Sequence, residues 1–440
     1  MKDSNINIAD LQLPNIVDKK LANGINISLI EYGNLPLVNM QFIIDIGSLS
    51  EINNEQQWLT SFLANYLKEG SKQYNGSSII DLFASYGGSI EISSSDDNLY
   101  INAEVLSKFA NNAIQIIADI LRNPHFPTQE QKRIKDDLLR NLDLLQVDPQ
   151  ALTSARLNHL IFQDHPYGRE FPHKKNIEKF NSSKLQSFYR NAIDSSKTKI
   201  YLLGKFDMHQ VDEQLDNSFG DWNFGYGKKI KPPKLTEDNT WSFINREDAH
   251  QSTIKLAMRL NNFSLKQYPS LILINALLGG TFISRITTNI REDKGYSYSP
   301  ISQLSVDKKY CFWTQTADVS TEVTQESFKE IFFEIKRLTK KAPSIKELNG
   351  MITHLSGLHL IRFSTPRSII SQLFFADKLE IQRSFFESYI SALQDLTSQM
   401  IFDQVNESFN DNYFIAIAGD KKNVYEKICN LKEFASVNEY

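Results

Sequence analysis

A catalytic metal centre needs three or so imidazole, thiolate or carboxylate ligands at one point, and residues four apart on a helix supply two of them from a single face. The chain has eight histidines, His125, His159, His165, His173, His209, His250, His354 and His359, and no two stand three or four apart on a predicted helix. His354 and His359 come nearest, but five positions turn roughly 140° around a helix, so their rings point apart. Each histidine is therefore expected to serve packing or a turn. The two cysteines, Cys311 and Cys429, lie far apart without the spacing of a zinc or redox motif. They are expected to be small buried residues outside any disulfide.

The rest of the composition sets limits. A chain of 440 residues with 41% apolar and 23% charged side chains is globular and too long for one ordinary core. Its 48 basic and 52 acidic residues are well mixed, for a net charge of -4, so no basic stripe awaits a phosphate backbone and nucleic acid is an unexpected partner. No run of 18 apolar residues occurs, and the polar start Met1-Lys2-Asp3-Ser4-Asn5 is followed by no signal-peptide core. A soluble chain is expected, periplasmic if a leader has been removed and cytoplasmic otherwise.

One plan runs through the chain twice. In the first half, β-formers cluster over Ile25–Ile30 and Val38–Gly47. A helix over about Glu55–Lys68 presents Trp58, Leu59, Phe62, Leu63, Tyr66 and Leu67 on one broad face and ends at Gly70. A helix near Ser78–Tyr86, a Gly87-Gly88 turn, strands Ser89–Ser94 and Leu99–Leu106, and helices Ala110–Leu121 and Gln129–Leu145 follow. In the second half the order recurs: strand Ser252–Leu260, helix Pro269–Leu278, turn Gly279-Gly280, helix Ile283–Arg291 and strands near Tyr296–Leu304 and Tyr310–Asp318. Helix Thr324–Leu338 and another from Ile345 come next. Buried strands Lys199–Gly204 and Tyr413–Gly419 close the two halves. The Gly-, Lys- and Pro-bearing stretch 225–240 has linker composition. Two similar α+β domains, 1–224 and 241–440, are expected on either side of it.

This plan, with Gly47-Ser48 before a helix that ends in Lys68-Glu69-Gly70-Ser71, resembles the amino-terminal half of the insulinase and mitochondrial processing peptidase family of zinc peptidases, family M16. The resemblance implies two homologous domains of the LuxS/MPP-like metallohydrolase fold, each a mainly antiparallel sheet packed with helices, in a clam-like arrangement. In the family that helix carries His-x-x-Glu-His, two ligands on one face with the general base between them. Counting back from Gly70, the ligand positions fall on Ser61 and Asn65 and the base position on Ala64. The third ligand, a later glutamate, falls on Asn141, 76 positions after Asn65. Serine and asparagine are poor neutral ligands and alanine has no titratable group, so no metal is expected in this chain. The sequence His165-Pro166-Tyr167-Gly168 resembles a loop that relatives often carry and reads as turn chemistry.

The second half is closer to the family. Leu278-Gly279-Gly280-Thr281-Phe282-Ile283-Ser284-Arg285, then Ile290-Arg291-Glu292-Asp293-Lys294-Gly295-Tyr296-Ser297-Tyr298, resembles its carboxy-terminal signature. Arg291 and Tyr298, seven apart, match an arginine–tyrosine pair that in the family hydrogen-bonds substrate carbonyl and oxyanion at the zinc site of a facing domain. Two simpler roles stand beside this one: Arg291 complementing a helix C-terminus, and Tyr298 as a half-buried strand aromatic. In processing-peptidase relatives a glycine-rich loop at Gly279-Gly280 touches substrate; with two glycines only, a tight turn fits equally. The resemblance implies a non-catalytic subunit of a heterodimeric peptidase of the bacterial type, with zinc in the active partner and short unfolded peptides, added as strands to a sheet edge, as substrates. A homodimer is as compatible. The alternatives are a scaffold or peptide-binding homologue without a peptidase partner.

Overall fold

The computed structural model describes residues 11–222, 232–236, 239–434 and 438–439. Six strands come from the first half: β1 Ile16–Lys20, β2 Asn26–Glu31, β3 Leu37–Ile44, β4 Ser89–Ser94, β5 Leu99–Leu106 and β6 Thr198–Gly204. The second half gives β7 Thr240–Asn245, β8 Gln251–Arg259, β9 Ile301–Val306, β10 Cys311–Ser320, β11 Tyr413–Gly419 and β12 Asn438–Glu439. The sheet orders, β1-β2-β6-β3-β5-β4 and β12-β7-β11-β8-β10-β9, correspond strand for strand, which bears out two homologous α+β units. Both are mainly antiparallel, with parallel pairing of β2 to β6 and of β7 to β11 and β12. The outermost strands differ in origin: β1 precedes its neighbour in the chain, whereas β12 is supplied by the far end.

The helices of the first half are α1 Leu59–Leu67, α2 Gly76–Ser85, α3 Ala110–Arg122, α4 Gln131–Leu145, α5 Pro149–Phe162, α6 Lys174–Glu178, α7 Ser182–Ala192 and α8 Met208–Phe219. Those of the second are α9 Tyr268–Leu278, α10 Arg285–Thr287, α11 Thr324–Lys340, α12 Ile345–Arg362, α13 Pro366–Leu379, α14 Ser384–Gln394, α15 Ser398–Ser408 and α16 Lys421–Cys429. No helix among the described residues is long and apolar enough to cross a membrane. The linker expectation falls largely on residues outside those described. Of its described part, Leu235 packs beside α5, the Thr236 amide donates to the Ile161 carbonyl at 3.2 Å, and Thr240 already begins β7.

The two units are stitched by an exchange of helices that sequence pattern alone does not reveal. Leu157, Leu160 and Ile161 of α5 pack on Ala257, Phe312, Phe414 and Ala416 of the second sheet. Reciprocally, Ile369, Ile370 and Leu373 of α13 cover Ile30, Ile43, Tyr201 and Leu203 of the first. This is why Ile200–Leu203 of β6 and the whole of β11 are apolar. Ile200 and Leu202 face their own helices while Tyr201 and Leu203 face α13; Ile415 and Ile417 face inward while Phe414 and Ala416 face α5. A strand buried on both faces cannot alternate with polar residues. Polar ties reinforce the seam: Lys378 and Tyr167 both donate to Asp97, and Gln150 donates to Asp318 at 2.7 Å.

Leu160 is fully buried in that seam. Truncation to alanine should cost about 2–5 kcal/mol through lost transfer energy and a cavity. In urea melts the midpoint should fall with a single transition retained; an unchanged midpoint would show that the seam contributes nothing to stability.

Candidate functional site: the Ser61–Asn65 side of α1 and an arginine–tyrosine pair

The motif-bearing helix begins later than its apolar periodicity predicts. Asn54–Gln56 form a 3₁₀ turn, Trp58 sits in the left-handed region at φ 73°, and α1 starts at Leu59 rather than near Glu55. The left-handed residue breaks the helix, and the buried Glu51 carboxylate caps the new start by accepting from the Trp58 and Thr60 amides at 3.1 and 3.0 Å. Burial pushes the Glu51 carboxyl up to about 7 despite those two bonds.

From there the helix buries Leu59, Phe62, Leu63, Tyr66 and Leu67, as the pattern requires. Ser61 and Asn65 are half-buried on the other side, one turn apart, and Ala64 is buried. Ser61 lies beside the edge strand β4, its hydroxyl 3.5 Å from that of Ser94. The Asn65 amide donates to the Ser61 carbonyl at 3.0 Å, and its oxygen accepts from the Lys68 ammonium at 3.2 Å. Asn141 is exposed on α4, which packs against α1.

The position fits no zinc ion: its would-be ligands are neutral, and the Asn65 amide oxygen is already paired with a cation. A divalent ion would have to displace Lys68 and gain no carboxylate or imidazole in return. Among the described residues, no group of three or more histidine, cysteine, aspartate or glutamate side chains could hold a metal ion.

Three of the histidines make structural contacts. His165 Nδ1 accepts from the Tyr167 amide at 3.3 Å and caps a short turn. His159 Nδ1 lies 2.9 Å from the Gly168 carbonyl. His359 is buried, lies 2.8 Å through Nε2 from the Phe386 carbonyl, and stacks on Tyr389 with ring centroids 4.5 Å apart. Burial lowers the His359 pKa below its ordinary 6.5, partly opposed by the bond to Phe386.

The unfolded chain therefore takes up this proton more readily than the folded one. The contribution of His359 is fully present above about 6.5 and is lost as pH falls through the lower folded value. Chemical-denaturation midpoints between pH 7 and 5 should decline with acidification, and His359→Gln should flatten that slope. An unaltered slope in the variant would remove His359 from the account. Of the cysteines, Cys311 is buried and burial pushes its thiol up to about 12. Cys429 is exposed, contrary to expectation, because α16 buries Val424 and Ile428 and turns the next residue outward.

At the other candidate site the expected helix Ile283–Arg291 is replaced by a loop, the short α10 and a π-helix, Thr288–Asp293. The Lys294 amide reaches the Asn289 carbonyl at 3.0 Å, the wide i-to-i+5 bond of that geometry. Tertiary contacts hold it there. The Asn289 amide donates to Glu330 and Glu334 of α11 at 2.9 and 3.0 Å.

Tyr298 is not the half-buried strand aromatic that sequence allows. β9 begins only at Ile301, after Pro300, and Tyr298 is 84% exposed. The Arg291 guanidinium carbon lies 5.5 Å from the Tyr298 ring centroid and 4.8 Å from that of Phe282. Its Nε is 3.2 Å from the Glu292 carboxylate. The structure thus brings the pair together, and adds Phe282, to which the sequence pattern assigned no role.

Gly279 and Gly280 set the height of the adjoining loop. A Cβ on Gly279 would stand 2.6 Å from Gln315 Oε1 and 2.7 Å from Ser302 Oγ; one on Gly280 would stand 2.4 Å from Asn275 Nδ2. The Gly279 carbonyl accepts from the Ser302 amide at 2.9 Å. Close packing of α9 against β9 is thus sufficient reason for two residues without side chains.

A duplicated α+β chain with exchanged helices, Ser61 and Asn65 on one side of α1, and Arg291 beside an exposed Tyr298 are the features to set against known proteins. Residues 30–173 match the family described as insulinase (peptidase family M16), and residues 179–355 match the peptidase M16 inactive domain. The chain belongs to peptidase family M16. It is 26% identical over 327 residues to an uncharacterized zinc protease of Rickettsia bellii, covering 73% of this chain and 78% of the relative. It is 23% identical over 382 residues to the non-peptidase homolog YmxG of Helicobacter pylori, covering 86% and 87%. A crystal structure of a peptidase M16 inactive domain from Pseudomonas fluorescens superposes with TM-score 0.83 at 21% identity, covering 92% of this chain and 98% of that one.

Proposed function

We propose that this chain is the non-catalytic subunit of a heterodimeric M16 peptidase, lending Arg291 and Tyr298 to a homologous partner that carries His-x-x-Glu-His and its zinc. The observation that supports this most directly is the asymmetry of preservation. The ligand positions are Ser61, Asn65 and Asn141 with Ala64 at the base, while Arg291 and Tyr298 stand together at the surface. A phenol and a guanidinium can both donate to a peptide carbonyl and to the oxyanion that develops on it, and such donors act most strongly where water is excluded by a facing chain. Unfolded peptide would be held as an added strand on a sheet edge of that partner, beside its zinc. The Gly279-Gly280 turn would then set the loop's distance from that peptide.

The test has two arms. Purified alone, the chain should hold less than stoichiometric zinc by elemental analysis and cleave no unstructured fluorogenic peptide. Mixed with a motif-bearing homologue from the same organism, it should co-elute with it and raise its turnover. One tightly held zinc per isolated chain would overturn the reading. Peptide binding by the isolated chain that no homologue alters would replace it with a capture role.

A further inference from the structure

We propose that Phe282 is a positioning residue for Arg291, closing an aromatic clamp that leaves only one edge of the guanidinium open. The cation lies within cation–π distance of two rings, Phe282 at 4.8 Å and Tyr298 at 5.5 Å. Both rings are surface residues, 72% and 84% exposed, so core packing does not explain them, whereas the Arg291 side chain keeps only 29% of its exposure.

A guanidinium has two faces and a fork of N–H groups along its rim. Here the guanidinium carbon lies over both rings and the Glu292 carboxylate is 3.2 Å from Nε, while no hydrogen bond is made by the two terminal nitrogens among the described residues. That free rim is the part that meets an oxygen acceptor in plane.

Phe282 is no loose loop tip. On one side of it the Thr281 hydroxyl donates to the Ala276 carbonyl at 3.2 Å. On the other the Ser284 amide donates to the Thr281 carbonyl at 3.2 Å, and the buried Arg285 is paired with Glu347 at 3.0 Å. Arg285 and the Ser344 amide and hydroxyl hold the Glu347 carboxyl down to about 2, despite its partial burial, so this anchor keeps its charge across the neutral range. The ring is thus presented from a pinned base, and the π-helix places Arg291 under it from the other side.

The role of the clamp in turnover rests on the function proposed above; the clamp itself does not. It can be read in the isolated chain by NMR of arginine side chains labelled with ¹³C and ¹⁵N. Ring currents should shift the Arg291 δ-methylene protons upfield, a signal assigned by its disappearance in Arg291→Lys. Phe282→Ala should move it most of the way to the ordinary arginine position, and Phe282→Tyr should restore it. In the mixed assay Phe282→Ala should cut the turnover gain about two- to fivefold, the rate equivalent of one surface cation–π contact, with Phe282→Tyr close to the parent.

An Arg291 signal at the ordinary position in the parent chain, or one unmoved by Phe282→Ala, would overturn the proposal. So would a lost turnover gain with the signal unmoved, since Phe282 would then act by its own contact. If the signals behave as described but Arg291→Ala leaves turnover intact, the clamp stands and the function proposed above falls.

Discussion

Arg291→Ala should lower kcat of the mixed peptidase about a hundredfold or more while the two chains still co-elute, since on the proposed function it removes a charged donor at the developing oxyanion. The loss belongs mainly in kcat, because the strongest bond is made to charge that exists only in the transition state. Tyr298→Phe, which keeps the ring against Arg291 and deletes the hydroxyl alone, should cost less and leave binding of the partner unchanged. Equal turnover for Arg291→Ala and the parent would return Arg291 to the simpler role of charge complement at a helix end. Because its guanidinium is stacked at the surface and one neighbouring carboxylate is its sole ion pair among the described residues, the variant is expected to fold normally.

The second large effect is a gain. Introducing Ser61→His, Ala64→Glu, Asn65→His and Asn141→Glu together should give a chain that holds one zinc ion with micromolar or tighter affinity, a change on the order of 8 kcal/mol. Ser61 and Asn65 already lie one turn apart on the same side of α1, joined by a hydrogen bond, and α4 packs beside them. The competing Lys68 ammonium is exposed and free to swing away once its amide partner is gone. Isothermal titration with zinc would check it. A folded quadruple variant with no zinc uptake would mean that α1 and α4 have drifted from the spacing a tetrahedral site needs.

Much of this architecture could be read from residue order. The buried strands β6 and β11 were legible because a strand covered on both faces is apolar throughout, and β4 and β5 because their ends are fixed by turn residues. The partners of α5 and α13 were not, since an apolar face records that something covers it and leaves the covering sheet unnamed. β1, with the sequence IVDKK, and the two-residue β12 carry too little alternation to stand out. At the site, Ser61, Ala64 and Asn65 follow from helical spacing alone. The π-helix does not, because it depends on Asn289 meeting two carboxylates of α11. Phe282 had one signal to offer, an aromatic side chain in a turn where polar residues are usual.

The traded helices constrain how such a subunit could move. Swinging one half away from the other would strip α5 from β11 and α13 from β6, laying bare strands that have no polar face to show to water. Each chain should therefore travel as a rigid jaw. On the proposed function, the gap that admits a peptide would then open between this chain and its partner and not within this chain.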